Sequence, residues 1–149
     1  MWQIRELAAD EVDTVGQVLG LARLDQGDGI YLVAWEDGEP MGHAYVAMAD
    51  PPQLQDVEVR PEHRRRGVGS ALTRAAEGAA AGRGFDRLTL EVSTSNVAAQ
   101  SLYRRLGYED AGRPPRRVTG TVVIRTGPIE VDDTLLMWHK TIAAPARAS

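Results

Sequence analysis

The sequence predicts a mixed α/β sheet with helices on its faces, and three observations predict it. An Asp37-Gly38 pair joins two apolar runs, a strand-helix-strand unit occupies 54–92, and two further strand-like runs close the chain between 118 and 142. The 149 residues suit one compact unit with a core of its own, taken as 1–142. Residues 143–149, rich in alanine with little to bury, are expected to form a flexible tail.

Trp2 to Glu6 alternates weakly and reads as a first strand. Ala9 to Leu24 carries Val12, Val15, Leu19 and Ala22 near helical spacing, and Asp25-Gln26-Gly27-Asp28-Gly29 ends that helix. Ile30–Trp35 and Met41–Met48 flank the Asp-Gly turn signal, which makes them an antiparallel hairpin. Leu54 to Val59 follows Pro51-Pro52 as another strand. The clearest helix places Val68, Ala71, Leu72, Ala75, Ala76 and Ala79 on one face, with Ser70, Thr73, Arg74 and Glu77 on the other. Gly82 and Gly84 close it, and Arg87 to Val92 returns as a strand beside the one it left, parallel to it. Asn96 to Leu106 is a further helix stopped by Gly107, and Val118–Arg125 with Leu135–Ile142 forms a final strand pair.

Composition removes several kinds of chemistry. The absence of cysteine excludes disulfides, thiolate metal sites and an acyl-cysteine intermediate. His43, His63 and His139 show no metal-ligand spacing, so packing or surface roles are expected and no metal is. A net charge of -4 argues against a nucleic-acid partner, even with arginines at 64–66 and 113–117, because no aromatics interleave them. No apolar run approaches the roughly 20 residues that span a bilayer, so no membrane partner is expected. The N-terminus also lacks a basic-then-apolar leader, which makes the cytoplasm the expected setting.

One loop breaks an ordinary rule. A helix start carries about half a positive charge and favours acidic residues, yet Arg64, Arg65 and Arg66 stand just ahead of Val68. Gly67 and Gly69 bare the first N–H groups beside those cations, an arrangement suited to a phosphate-bearing ligand. A solvated basic turn is the plainer alternative. Neither the dinucleotide pattern G-x-G-x-x-G nor the phosphate-loop pattern G-x-x-x-x-G-K-[ST] is present.

Arg64-Arg65-Arg66-Gly67-Val68-Gly69, after a strand ending at Val59, resembles the pyrophosphate loop [QR]-x-x-G-x-[GA] of the GNAT superfamily of N-acetyltransferases. Asn96, Ala99, Leu102, Tyr103, Gly107 and Tyr108 match a second pattern of that family. The resemblance covers roughly residues 2 to 142. It implies a GNAT-like, mostly antiparallel sheet with a central splayed parallel strand pair and helices on both faces. It also implies acetyl-CoA as acyl donor and direct transfer of its acetyl group to a primary amine in a ternary complex. Cofactor contacts then fall to Val57, Val59, Arg64, Arg65, Arg66, Gly67, Val68, Gly69, Ser70, Asn96, Ala99 and Tyr103. By the same match the Val57 amide meets the thioester carbonyl and Tyr103 protonates the departing thiolate. Packing explains Tyr103 otherwise, and helix capping explains Asn96.

The family's usual positions for a base hold Gln53 and Gln55, neither of which is basic. Asp56 and Glu58 alternate with Val57 and Val59, so they point away from the site unless a bulge redirects them; Glu91, Glu130, Asp132, Asp133 or a water chain are the other sources. With no base assigned, a catalytically silent acyl-CoA sensor or interaction module is the alternative function. The acceptor stays unidentified: Glu130 to Asp133 suggests a cationic substrate, or simply a solvated turn. Many relatives pair, which admits a homodimer.

Overall fold

The computed structural model describes residues 2–21, 24, 29–124 and 127–142. Strand β1 (Trp2–Glu6) pairs antiparallel with β2 (Ile30–Glu36), and β2 with β3 (Glu39–Ala47). Asp37 and Gly38 both take positive φ, 51° and 82°, as a tight two-residue hairpin requires. β3 pairs with β4 (Gln53–Val59), which runs parallel to β5 (Arg87–Ser93). β5 pairs antiparallel with β8 (Gly127–Thr141), and β8 also carries β6 (Glu109–Asp110) and β7 (Arg116–Ile124). The sheet is open and mostly antiparallel, with β4–β5 its parallel pair.

Helices α1 (Val12–Leu19), α2 (Val68–Gly82) and α3 (Val97–Arg105) cover both faces. Side chains alternate along a strand, so β2 serves two cores. Tyr31, Val33 and Trp35 meet Val15 of α1, while Leu32 and Ala34 join the cluster that holds Val68, Leu72, Ala76 and Ala80 of α2. Alanines on α2 let the helix lie close to the sheet. Ala99, Leu102 and Tyr103 of α3 extend the α2 side of the core.

Several elements differ from the sequence reading. The first helix stops at Leu19 because Gly20 adopts φ 68° and its N–H closes on the Gly16 carbonyl. Ala22, the 25–28 stretch, Arg125 and the tail from 143 lie outside the described residues. Thr73, expected on the outer face of α2, is buried, and its hydroxyl donates to the Gly69 carbonyl at 2.9 Å. Strand β6 was not foreseen; two residues give no periodicity to read. The largest correction concerns Glu130 to Asp133, which sit inside β8 and not in a turn. β7 supplies polar partners that make a strand favourable there: Thr121 bonds Glu130, and Arg117 pairs with Asp132.

Candidate active site

The parallel pair separates soon after it forms. β4 and β5 are in register at Gln53–Thr89 and Leu54–Leu90, yet both strands continue for several residues without further pairing. A bulge supplies the cause. Asp56 takes φ 53°, and the span from Gln55 to Glu58 on β4 faces only the span from Tyr45 to His43 on β3. An extra residue bends a strand and increases its twist. It also resets alternation, so Leu54, Val57 and Val59 all join the α2 core. Asp56 then lies on the wall of the gap, and Glu58 faces away beside His43. The expectation that both acids point away from the gap thus fails for Asp56. A cavity of about 220 Å3 occupies the gap, lined by Gln53, Gln55, Asp56, Val57, Glu91 and Tyr103, among others.

Ahead of α2, Pro61–His63 forms a 3-10 turn, and Arg65 and Gly67 take φ of 64° and 82°. Gly67 is the helix N-cap and offers no side-chain acceptor; the first turn carries no acid. The Ala71 N–H reaches the Gly67 carbonyl, so the N–H groups of Val68, Gly69 and Ser70 come before the first intrahelical donor and have no acceptor within the helix. A side chain at Gly69 would meet nothing nearer than Val59 Cγ2 at 3.9 Å. Packing therefore does not demand that glycine. Its lack of a side chain keeps space open between the helix start and β4.

The three arginines have different surroundings. Arg64 Nε donates to the Val59 carbonyl at 3.1 Å, which ties the loop to the end of β4. Arg66 is engaged by Glu36, with contacts of 2.9 and 2.5 Å, and also donates to His63 Nδ1 at 3.1 Å. That pairing pulls the Glu36 carboxyl below its ordinary pKa and raises the Arg66 guanidinium. Arg64 and Arg65 have no carboxylate partner among the described residues. The Glu36 contact is invisible to local spacing, since 30 residues separate the partners.

Asn96 caps α3 through its side chain, which accepts the Ala99 N–H at 3.0 Å. One helical turn beyond Ala99, Tyr103 lines the gap, and burial raises its phenol above the ordinary pKa. Its ring meets Tyr108 edge-on, 5.8 Å between centroids. Tyr108 in turn donates to Glu77 at 2.9 Å, and Glu77 accepts from Lys140 at 2.9 Å. Sequence reasoning missed this brace because Glu77 was counted on the outer face of α2. On the other gap wall, Glu91 is gripped by Arg116 through two bonds of 2.9 and 2.7 Å.

A model described as the acetyltransferase (GNAT) family matches residues 2–108. The chain belongs to that family. It is 34% identical over 100 residues to a streptothricin acetyltransferase of Streptomyces lavendulae, a match covering 65% of this chain and 53% of that one. The chain thus spans about half the length of that relative. Its fold is similar to the ribosomal-protein-S18-alanine N-acetyltransferase of Escherichia coli, with a TM-score of 0.74 at 23% identity, covering 98% and 97% of the two chains. A GNAT family acetyltransferase of Elizabethkingia anophelis with acetyl-CoA bound gives a TM-score of 0.68 at 12% identity, covering 95% and 98%. The resemblance carried by the arginine loop and the Asn96–Tyr108 pattern is met in family and fold.

Elsewhere, the described residues hold no group of three or more His, Asp or Glu arranged for a metal. None of their helices is long and apolar enough to cross a membrane. The basic stretch near Pro114 is partly engaged, since Arg116 holds Glu91 and Arg117 holds Asp132.

Proposed function

We propose that this chain moves the acetyl group of acetyl-CoA directly to a primary amine across the gap between β4 and β5. The observation that carries the reading is the placement of Tyr103 and Val57 on one cavity, opened by the bulge at Asp56, next to an uncapped helix start. The residues present fit the donor. Arg64, Arg65 and the amides of Val68, Gly69 and Ser70 would hold its pyrophosphate, and the unpaired length of β4 at Val57 and Val59 would align its arm. Asn96 and Ala99 border the same side at the start of α3.

When bound, the donor supplies an activated thioester. The Val57 N–H stabilises the carbonyl oxygen as charge builds on it. Tyr103, raised in pKa and so protonated at neutral pH, gives its proton to sulfur as the carbon–sulfur bond breaks and the carbon–nitrogen bond forms. Asp56 takes the proton lost by the amine. Its carboxyl is raised by desolvation, which suits a base working near neutrality better than an ordinary aspartate. Glu91 shares the wall and holds Arg116.

Tyr103→Phe should lower kcat by about 100-fold, at the low end for a lost general acid, with acetyl-CoA affinity unchanged. Thiol detection of released CoA across an amine panel measures it. Acetyl-CoA binding with no CoA released from any amine would favour the silent sensor instead.

A further inference from the structure

Below the gap, on the face opposite α2, lies a larger cavity of about 410 Å3. It adjoins the gap cavity, since Gln53 and Gln55 line both. Its walls are apolar at Ala47, Ala49, Pro51 and Met137, and its charged side chains are Arg87 and Arg113. No aspartate or glutamate lines it, in a chain with 21 acidic residues. Glu109, in register with His139, and Glu91, in register with Met137, border it in the sheet without joining the lining.

Several arginines near the sheet are neutralised in place. Arg5, Arg66, Arg83, Arg116 and Arg117 each hold a carboxylate. Arg87 and Arg113 hold none among the described residues. Arg87 instead approaches His139 Nδ1 at 3.4 Å, so that imidazole faces a cation as acceptor and not a carboxylate. Two guanidinium groups that hold no carboxylate, beside an apolar floor, suit a planar anion. The Gln55 amide donates to Gln53 at 2.6 Å, which leaves the Gln53 amide group free to donate as well. The acids at 130–133, the one hint of a cationic acceptor, are engaged by β7 and by Ser93.

We propose that the acceptor amine carries an anionic group, a carboxylate or a phosphate, which Arg87 and Arg113 hold while the amino end enters the gap beside Gln55. The inference rests on the acetyl-transfer reading and names its substrate class. Arg87, Thr89 and Glu91 share one strand face, and a strand rises about 3.3 Å per residue. The amine and the anion should therefore stand roughly 6 to 13 Å apart.

Two measurements separate the anion site from the reaction. In the first, β-alanine, 4-aminobutyrate and 6-aminohexanoate are compared with their amides, with the phosphomonoesters of the matching amino alcohols, and with 1,4-diaminobutane, by CoA release. At least one carboxylate or phosphate amine should exceed its uncharged or cationic counterpart at least tenfold in kcat/KM. In Arg87→Gln/Arg113→Gln that preference should fall to under threefold through KM, with acetyl-CoA affinity unchanged. Equal or better turnover of the amides or the diamine would overturn the proposal, as would a preference that survives in the double variant. The second measurement titrates glutarate and phosphate, which carry no amine, into the acetyl-CoA-loaded protein by calorimetry. Binding of either to wild type and not to the double variant supports the site even without turnover, and the favoured ion tells carboxylate from phosphate. Binding of neither overturns it, whatever amines are acetylated.

Discussion

On the face covered by α2 and α3, strands meet alanine, valine and leucine side chains packed closely, whereas the face that carries α1 keeps cavities of about 380 and 410 Å3 beside His43 and Arg87. The first face positions backbone: an uncapped helix start, a bulge and a strand released from its neighbour. Those backbone groups are the ones proposed to hold acetyl-CoA. The second face presents side chains drawn from β3, β4, β5 and β8, where the acceptor is proposed to sit. On the proposed function, donor and acceptor recognition then have separate physical origins, and each should be alterable without the other.

The largest test falls on the α1 face. His43 is buried there with no hydrogen-bond partner for either ring nitrogen among the described residues, and desolvation lowers its pKa from 6.5 to about 4. The folded imidazole stays neutral over a range in which the unfolded chain takes up a proton. Stability is therefore full above about pH 6.5 and falls as pH drops from there toward 4. The loss between pH 7.5 and pH 5 should be about 2 kcal/mol, seen as a lower urea midpoint. In His43→Phe most of that slope should vanish; a slope as steep as wild type would show that His43 is not its source.

A smaller effect concerns the donor loop. Arg64→Ala should weaken acetyl-CoA about tenfold, or roughly 1.4 kcal/mol. Arg66→Ala should change it less than threefold, because Glu36 already holds that guanidinium. Calorimetry of both variants checks the order, and a larger loss at Arg66 would reverse the roles given to the two.

The same contrast explains what could be read from sequence. The hairpin at Asp37-Gly38, the α2 face of Val68, Leu72 and Ala76, and the linked patterns ending at Gly69 and Tyr108 are contiguous or periodic, so local spacing reveals them. The bulge is different. Asp56 has no glycine or proline beside it to signal positive φ, and the extra residue shows only once β3 is laid against β4. Glu77 looked like a surface glutamate because Tyr108 and Lys140, its partners, lie 31 and 63 residues away. Glu130 to Asp133 looked like a turn because the partners on β7 that make it a strand cannot be seen in that segment alone. The cavity proposed for the anionic acceptor draws on residues from Ala47 to His139, and no motif spans them.

Gly69→Ala tests most directly the claim that the start of α2 is shaped for a ligand and not for the fold. The new methyl has open space in the protein, and alanine is the better helix former by about 0.8 to 1 kcal/mol, so melting temperature should hold or rise. Acetyl-CoA affinity, measured by calorimetry on the same sample, should fall at least tenfold. A stable variant that binds acetyl-CoA as tightly as wild type would contradict it.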